Sequence, residues 1–141
     1  MKGLIQPFVP APRRASEPPK ILVIDDSKDM RELLALHLRN AGYRVTLAED
    51  AVAAGHCIAA SLPDLIICDF KMPFMSGVDF IAALRADATI PDIPVLFMTS
   101  RENSPDLAGK TFGFPLLTKP LVADDLLATV AEELRRYAAA T

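Results

Sequence analysis

Cysteine is scarce in this chain, basic residues never cluster, and no apolar run approaches the length of a membrane span. Each absence removes a class of protein. The two cysteines, Cys57 and Cys68, stand eleven positions apart in 141 residues. They form neither a CxxC pair nor a disulfide framework, which suits a reducing compartment. With 15 Lys and Arg against 18 Asp and Glu the formal net charge is −3. No basic block is available for a nucleic-acid backbone or an anionic membrane surface. A membrane helix needs about 20 consecutive apolar residues, and none of that length is present. The amino-terminal apolar stretch is broken by Pro7, Pro10 and Pro12, so it does not make a signal peptide. The expectation is a cytoplasmic protein with no direct nucleic-acid partner and no membrane.

What is present is apolar: 51% of the residues, in a length that makes one domain with a sizeable core. Residues 1–19 hold five of the twelve prolines and little periodicity, which predicts a flexible Pro-rich extension ahead of a domain over 20–141. Residues 20–24 form a β-rich apolar run that stops at Asp25-Asp26, and Ser27 is placed to cap the helix that follows. Met30, Leu33, Leu34, His37 and Leu38 recur at helical spacing, and Gly42 closes that helix. Residues 43–48 alternate as a second strand, and 51–62 form a small-residue helix. The run Leu65-Ile66-Ile67-Cys68 reads as a strand buried on both faces, ending at Asp69 before Pro73 forbids further pairing. A helix over 77–87 and a buried strand from Val95 to Thr99 follow.

Between residues 100 and 113, Pro105, Gly109 and Gly113 leave room only for a short or irregular helix. Residues 114–117 predict a fifth strand. The last helix has Asp124 and Asp125 at its start and Arg135 and Arg136 at its finish, in agreement with the macrodipole. Five strands alternating with five helical stretches make an α/β domain with a doubly wound parallel sheet.

Ligands of such sheets bind beyond the carboxyl ends of the strands. The polar residues at those ends are Asp25 and Asp26, Asp69, Thr99 and Lys119. Taken singly, an Asp pair before a helix is an ordinary cap, a strand-end Thr a turn residue and a Lys a solvated charge. Together, on four strand ends, they predict one crevice. Its three carboxylates repel one another by about 4 kcal/mol per pair at 4 Å and an effective dielectric of about 20 unless a cation joins them. An all-oxygen donor set fits Mg²⁺ and not zinc. With Mg²⁺ in place, Asp69 can attack a phosphorus, Lys119 can supply a point charge and Thr99 a hydroxyl to the phosphoryl oxygens.

The motifs Ile-Leu-Val-Ile-Asp25-Asp26-Ser, Asp64-Leu-Ile-Ile-Cys-Asp69-Phe-Lys-Met72-Pro73 with Ser76-Gly77, Thr99-Ser100 and Thr-Lys119-Pro120 resemble those of the receiver domain of two-component response regulators. The resemblance covers residues 20–138. It implies a flavodoxin-like sheet in the order 2-1-3-4-5 flanked by five helices. It also implies phosphorylation of Asp69 by a sensor histidine kinase or phosphotransfer protein, with Mg²⁺ held by Asp25, Asp26, Asp69 and the Lys71 backbone carbonyl. Lys119 and Thr99 complete the implied site, and the Lys119-Pro120 bond is expected to be cis. Such a protein is a switch and not a turnover enzyme. It is expected to signal to a downstream protein target through contacts of its own, with no output domain.

One departure concerns the switch. The family's aromatic residue three positions before the lysine is Leu116 here, a pattern similar to a stand-alone subgroup that lacks it. Leucine has no hydroxyl, so phosphorylation is expected to act by ordering residues 100–113. The competing expectation is a docking module indifferent to phosphorylation. The resemblance implies that Lys71 and Arg101, two residues beyond Asp69 and Thr99, tune dephosphorylation; the alternative reading is solvated surface charge. Gly109-Lys110-Thr111 lacks the first glycine of a P-loop, because Ser104 stands there. A dehalogenase-type phosphatase needs a second acid where Lys71 stands, and neither His37 nor His56 has metal-binding companions.

Overall fold

A computed structural model describes residues 17–100 and 109–140. Nine elements follow one another: β1 (Lys20–Ile24), α1 (Lys28–Asn40), β2 (Arg44–Ala48), α2 (Ala51–Ala60), β3 (Leu65–Asp69), α3 (Gly77–Ala86), β4 (Val95–Ser100), β5 (Leu116–Lys119) and α4 (Ala123–Ala140). All four strand pairings are parallel and give the order β2-β1-β3-β4-β5.

The period-2 alternation of strands sorts the core into two halves. Leu22, Ile24, Ile66, Cys68, Val95 and Phe97 face one side, where Ala54 and Ile58 of α2 and Phe80 and Ile81 of α3 cover them. Ile21, Val23, Leu65, Ile67, Leu96 and Met98 face the other, against Leu34 and Leu38 of α1 and Leu126 and Val130 of α4. Both faces are covered, which is why β1, β3 and β4 read as unbroken apolar runs.

Local chemistry sets the boundaries. Ser27, Asp50 and Ser76 cap α1, α2 and α3 by accepting the N–H of Met30, Ala53 and Asp79. Gly42, just past α1, has φ +97°, a conformation that glycine adopts without steric cost.

Three expectations need correction. Four helices, not five, are present among the described residues; the irregular helix expected within 100–113 falls on a segment of which 101–108 lie outside the described residues. The fifth strand begins at Leu116, two residues later than expected. Pro115 has no N–H to give a ladder and contributes only its carbonyl, which accepts the Phe97 N–H at 2.9 Å. Arg135 and Arg136 do not finish the last helix, which continues to Ala140; they pair instead with Glu132 and Glu133 one turn back. The Pro-rich extension lies outside the description up to residue 16. Its last residues hold the start of β2, where Arg44 bonds the carbonyls of Pro18 and Pro19. No helix among the described residues is long and apolar enough to cross a membrane.

Candidate functional site

The crevice is built where β1, β3, β4 and β5 end. β1 leaves the core at Ile24, and the next residue, Asp25, is fully buried. An Asx turn keeps it there: Asp25 Oδ1 accepts the Ser27 N–H at 2.8 Å. Asp26 is exposed. β3 ends at Asp69, whose Oδ1 accepts the Lys71 N–H at 3.3 Å. The carboxylate oxygens of Asp25, Asp26 and Asp69 lie within 4.8 Å of one another, a group that could hold a metal ion.

From the end of β5, the Lys119 ammonium reaches Asp25 Oδ2 and Asp69 Oδ2, each at 2.9 Å. The next peptide bond, Lys119-Pro120, is cis. Thr99 is buried near the end of β4, one residue past Met98, which is the register partner of Asp69. The structure thus places Asp25, Asp26, Asp69, Thr99 and Lys119 at one rim, with direct contacts joining Asp25, Asp69 and Lys119. Lys71 is exposed and meets Asp69 through its backbone N–H. Arg101 lies outside the described residues. His37 is half-buried in the last turn of α1 and His56 exposed on α2, neither within the acidic group.

Two carboxylates, Asp25 and Asp69, share one ammonium, and this shifts the proton affinities of Asp69 and Lys119. Burial pushes the Asp69 carboxyl above its ordinary value, the Lys119 hydrogen bond pulls it back, and the charge of Asp25 raises it again. Burial alone would lower Lys119, but its hydrogen bonds to Asp25 and Asp69, together with their charges, hold it above its ordinary value. Cys68, behind Asp69, is pushed far up by burial and by the charges of Asp69 and Asp25, so its thiol stays protonated and unreactive.

Two features escaped the sequence reading. The first is the wall behind Asp69. A Cβ on Gly77 would lie 2.0 Å from the Asp69 carbonyl oxygen and 3.0 Å from Cys68 Sγ, and the Gly77 N–H donates to Phe70 O at 2.8 Å. Only glycine lets α3 begin this close to the strand end. The second is Arg31, whose guanidinium donates to the Asp25 carbonyl at 2.8 Å. The available signal was a cation near the start of a helix, where the macrodipole disfavours positive charge. Leu116, in place of an aromatic, is half-buried and packs at the edge of the cluster containing Phe70, Phe97 and Phe114.

A doubly wound domain whose strand ends gather three acids and a lysine bridging two of them defines the class. The chain belongs to the response regulator receiver domain family, whose sequence pattern matches residues 21–131. It is 39% identical over 121 residues to the response regulator MprA of Mycobacterium sp. (strain KMS), covering 84% of this chain and 52% of that protein. The transcriptional regulatory protein YrkP of Bacillus subtilis (strain 168) is 37% identical over 123 residues, covering 84% and 50%. The chain spans about half the length of these curated relatives. Among solved structures, the Vibrio cholerae chemotaxis protein CheY4 superposes with a TM-score of 0.73 at 32% identity, covering 82% of this chain and 98% of that one. A response regulator receiver domain protein from Clostridium thermocellum gives 0.77 at 27% identity, covering 87% and 99%.

Proposed function

We propose that this domain is a phosphorylation switch that accepts a phosphoryl group on Asp69 from a sensor histidine kinase or phosphotransfer protein. The observation that carries the reading is the double contact of Lys119 with Asp25 and Asp69 inside a trio of carboxylates. An Asp69 oxygen attacks the phosphorus of a phosphohistidine, the new P–O bond forms as the P–N bond breaks, and the imidazole nitrogen departs with the electron pair. Lys119 is within reach of that carboxylate and serves as a fixed positive charge for the phosphoryl oxygens, joined by the Thr99 hydroxyl. Asp25, Asp26 and Asp69, whose clustered carboxylates suit a hard divalent ion, would hold Mg²⁺, joined by the Lys71 carbonyl that the family resemblance implies. When bound, that ion supplies neutralising charge and orients phosphoryl oxygens.

The product acyl phosphate hydrolyses in time, so the domain is set and reset without turning over a substrate. Its signal passes through protein contacts, and the net charge of −3 argues for a protein target and against nucleic acid for this unit. A second reading, docking without phosphorylation, draws on Leu116, which has no hydroxyl with which to follow Thr99.

Incubation with Mg²⁺ and acetyl phosphate tests the choice. A mass gain of about 80 Da, the size of one phosphoryl group, that Asp69→Asn abolishes is the expected result. No gain from acetyl phosphate or from a phosphorylated histidine donor would favour docking.

A further inference from the structure

Asp25 is held at every polar atom. Its N–H donates to Ala48 O at 3.1 Å, Oδ1 receives Ser27 N–H at 2.8 Å, Oδ2 receives Lys119 at 2.9 Å and the carbonyl receives Arg31 Nη1 at 2.8 Å. Backbone neighbours or the site's own lysine make three of these bonds. The fourth comes from a side chain on α1, six residues on, that the chemistry above does not use. Its target is the carbonyl of the peptide that joins Asp25 to Asp26. That unit is planar, so fixing its C=O also fixes the N–H of Asp26 and the position of the Cα from which the Asp26 side chain leaves the chain. The Asp26 carboxylate is exposed, and no hydrogen bond holds it among the described residues. Its aim therefore comes from the backbone.

We propose that Arg31 is a positioning residue for metal ligation. Through the Asp25 carbonyl it fixes the 25–26 peptide, so that both carboxylates stay clustered with Asp69. The inference rests on reading that trio as the Mg²⁺ ligands. A bond to a carbonyl takes no lone pair from either carboxylate, so it persists whether or not a cation is bound. Partners that orient metal ligands in this way are worth about tenfold to a hundredfold in metal affinity.

Calorimetric titration of the whole chain with Mg²⁺ provides the test. Arg31→Met removes the donor and the charge together, and the two roles then predict opposite signs. Loss of positioning weakens Mg²⁺ by about tenfold or more, whereas removal of a nearby positive charge alone would tighten it. Arg31→Lys keeps the charge and one donor group, and should fall between wild type and Arg31→Met. Arg31 lines an open cleft of about 420 Å³ with Lys28, Glu32, Leu47 and Glu49, so its truncation empties no core.

Should Arg31→Met not fold, Arg31→Lys carries the test alone, with weaker Mg²⁺ binding expected. A lowered unfolding midpoint in the cation-free variant with unchanged Mg²⁺ affinity would assign Arg31 a purely structural role and overturn the proposal. So would unchanged or tighter binding. Wild type that binds no Mg²⁺ would overturn the metal reading as well, whereas wild-type binding with an indifferent variant leaves that reading standing.

Discussion

The two sides of the crevice are built differently. On the β1–β3 side, every strand residue from Ile21 to Ile24 and from Leu65 to Asp69 is buried, and the two buried acids are held in place: Asp25 by hydrogen bonds with Ser27, Arg31 and Ala48, Asp69 by the Lys71 N–H and the close approach of Gly77. On the β5 side, an edge strand of four half-buried residues carries Lys119, and Leu116 sits at the periphery of the core. Asp69, the proposed phosphoacceptor, thus stands on the fully buried half, and Lys119, which would meet its phosphoryl group, stands on the half-buried edge. Edge strands paired on one side are where local stability is lowest, and moving parts are drawn from such regions.

Three substitutions would break or sharpen this contrast. Gly77→Ala should cost about 3 kcal/mol or more, because backbone atoms 2.0 Å from the new methyl cannot give way as a side chain can. Denaturant unfolding measures it, and a loss below about 1 kcal/mol would mean that the Asp69 wall yields. Leu116→Ala, on the other side, should cost only about 1 kcal/mol in the same assay, since a half-buried leucine loses a fraction of the 2–5 kcal/mol typical of core truncations. Equal losses at the two positions would erase the contrast.

Asp69→Asn should shift stability least, and upward. The folded chain raises the Asp69 pKa above its ordinary value of 3.8, so the native state binds that proton more tightly than the unfolded state. Stability then falls as pH rises through the folded value. The asparagine variant escapes this loss: without divalent cation its melting midpoint should exceed wild type near neutral pH. The advantage should vanish below the ordinary carboxylate value. A variant less stable than wild type at neutral pH would show that the Lys119 pairing outweighs burial.

The sequence made some of these features readable and hid others for physical reasons. Strands buried on both faces cannot hide: Ile-Leu-Val-Ile and Leu-Ile-Ile-Cys announce themselves as apolar runs, and an acid directly after such a run stands at a strand end whatever the rest does. Asp25 and Asp69 were legible for that reason, and Thr99 as the polar end of a buried run, whereas Lys119, on a half-buried edge strand, was legible from its Thr-Lys119-Pro120 motif. Edges were less so. Phe114-Pro115 reads as strand by composition, yet Phe114 is buried ahead of the strand and the ladder waits for Leu116. Contacts between distant chain segments leave little local trace. Nothing around Gly77 signals that its missing side chain faces the Asp69 carbonyl, and nothing around Phe74 signals a left-handed backbone with φ of 72° and a ring 93% exposed. Arg31 was visible only as a charge on the wrong end of a helix.

The lysine bridge has one more consequence. An ammonium already seated on two of three clustered carboxylates is a tethered competitor for any cation that would enter, because its attachment to the chain keeps it beside them. Entry of a cation is then an exchange and not a simple addition. A bound cation's residence would be set by the difference between two attractions, since Lys119 alone already balances part of the charge of Asp25 and Asp69.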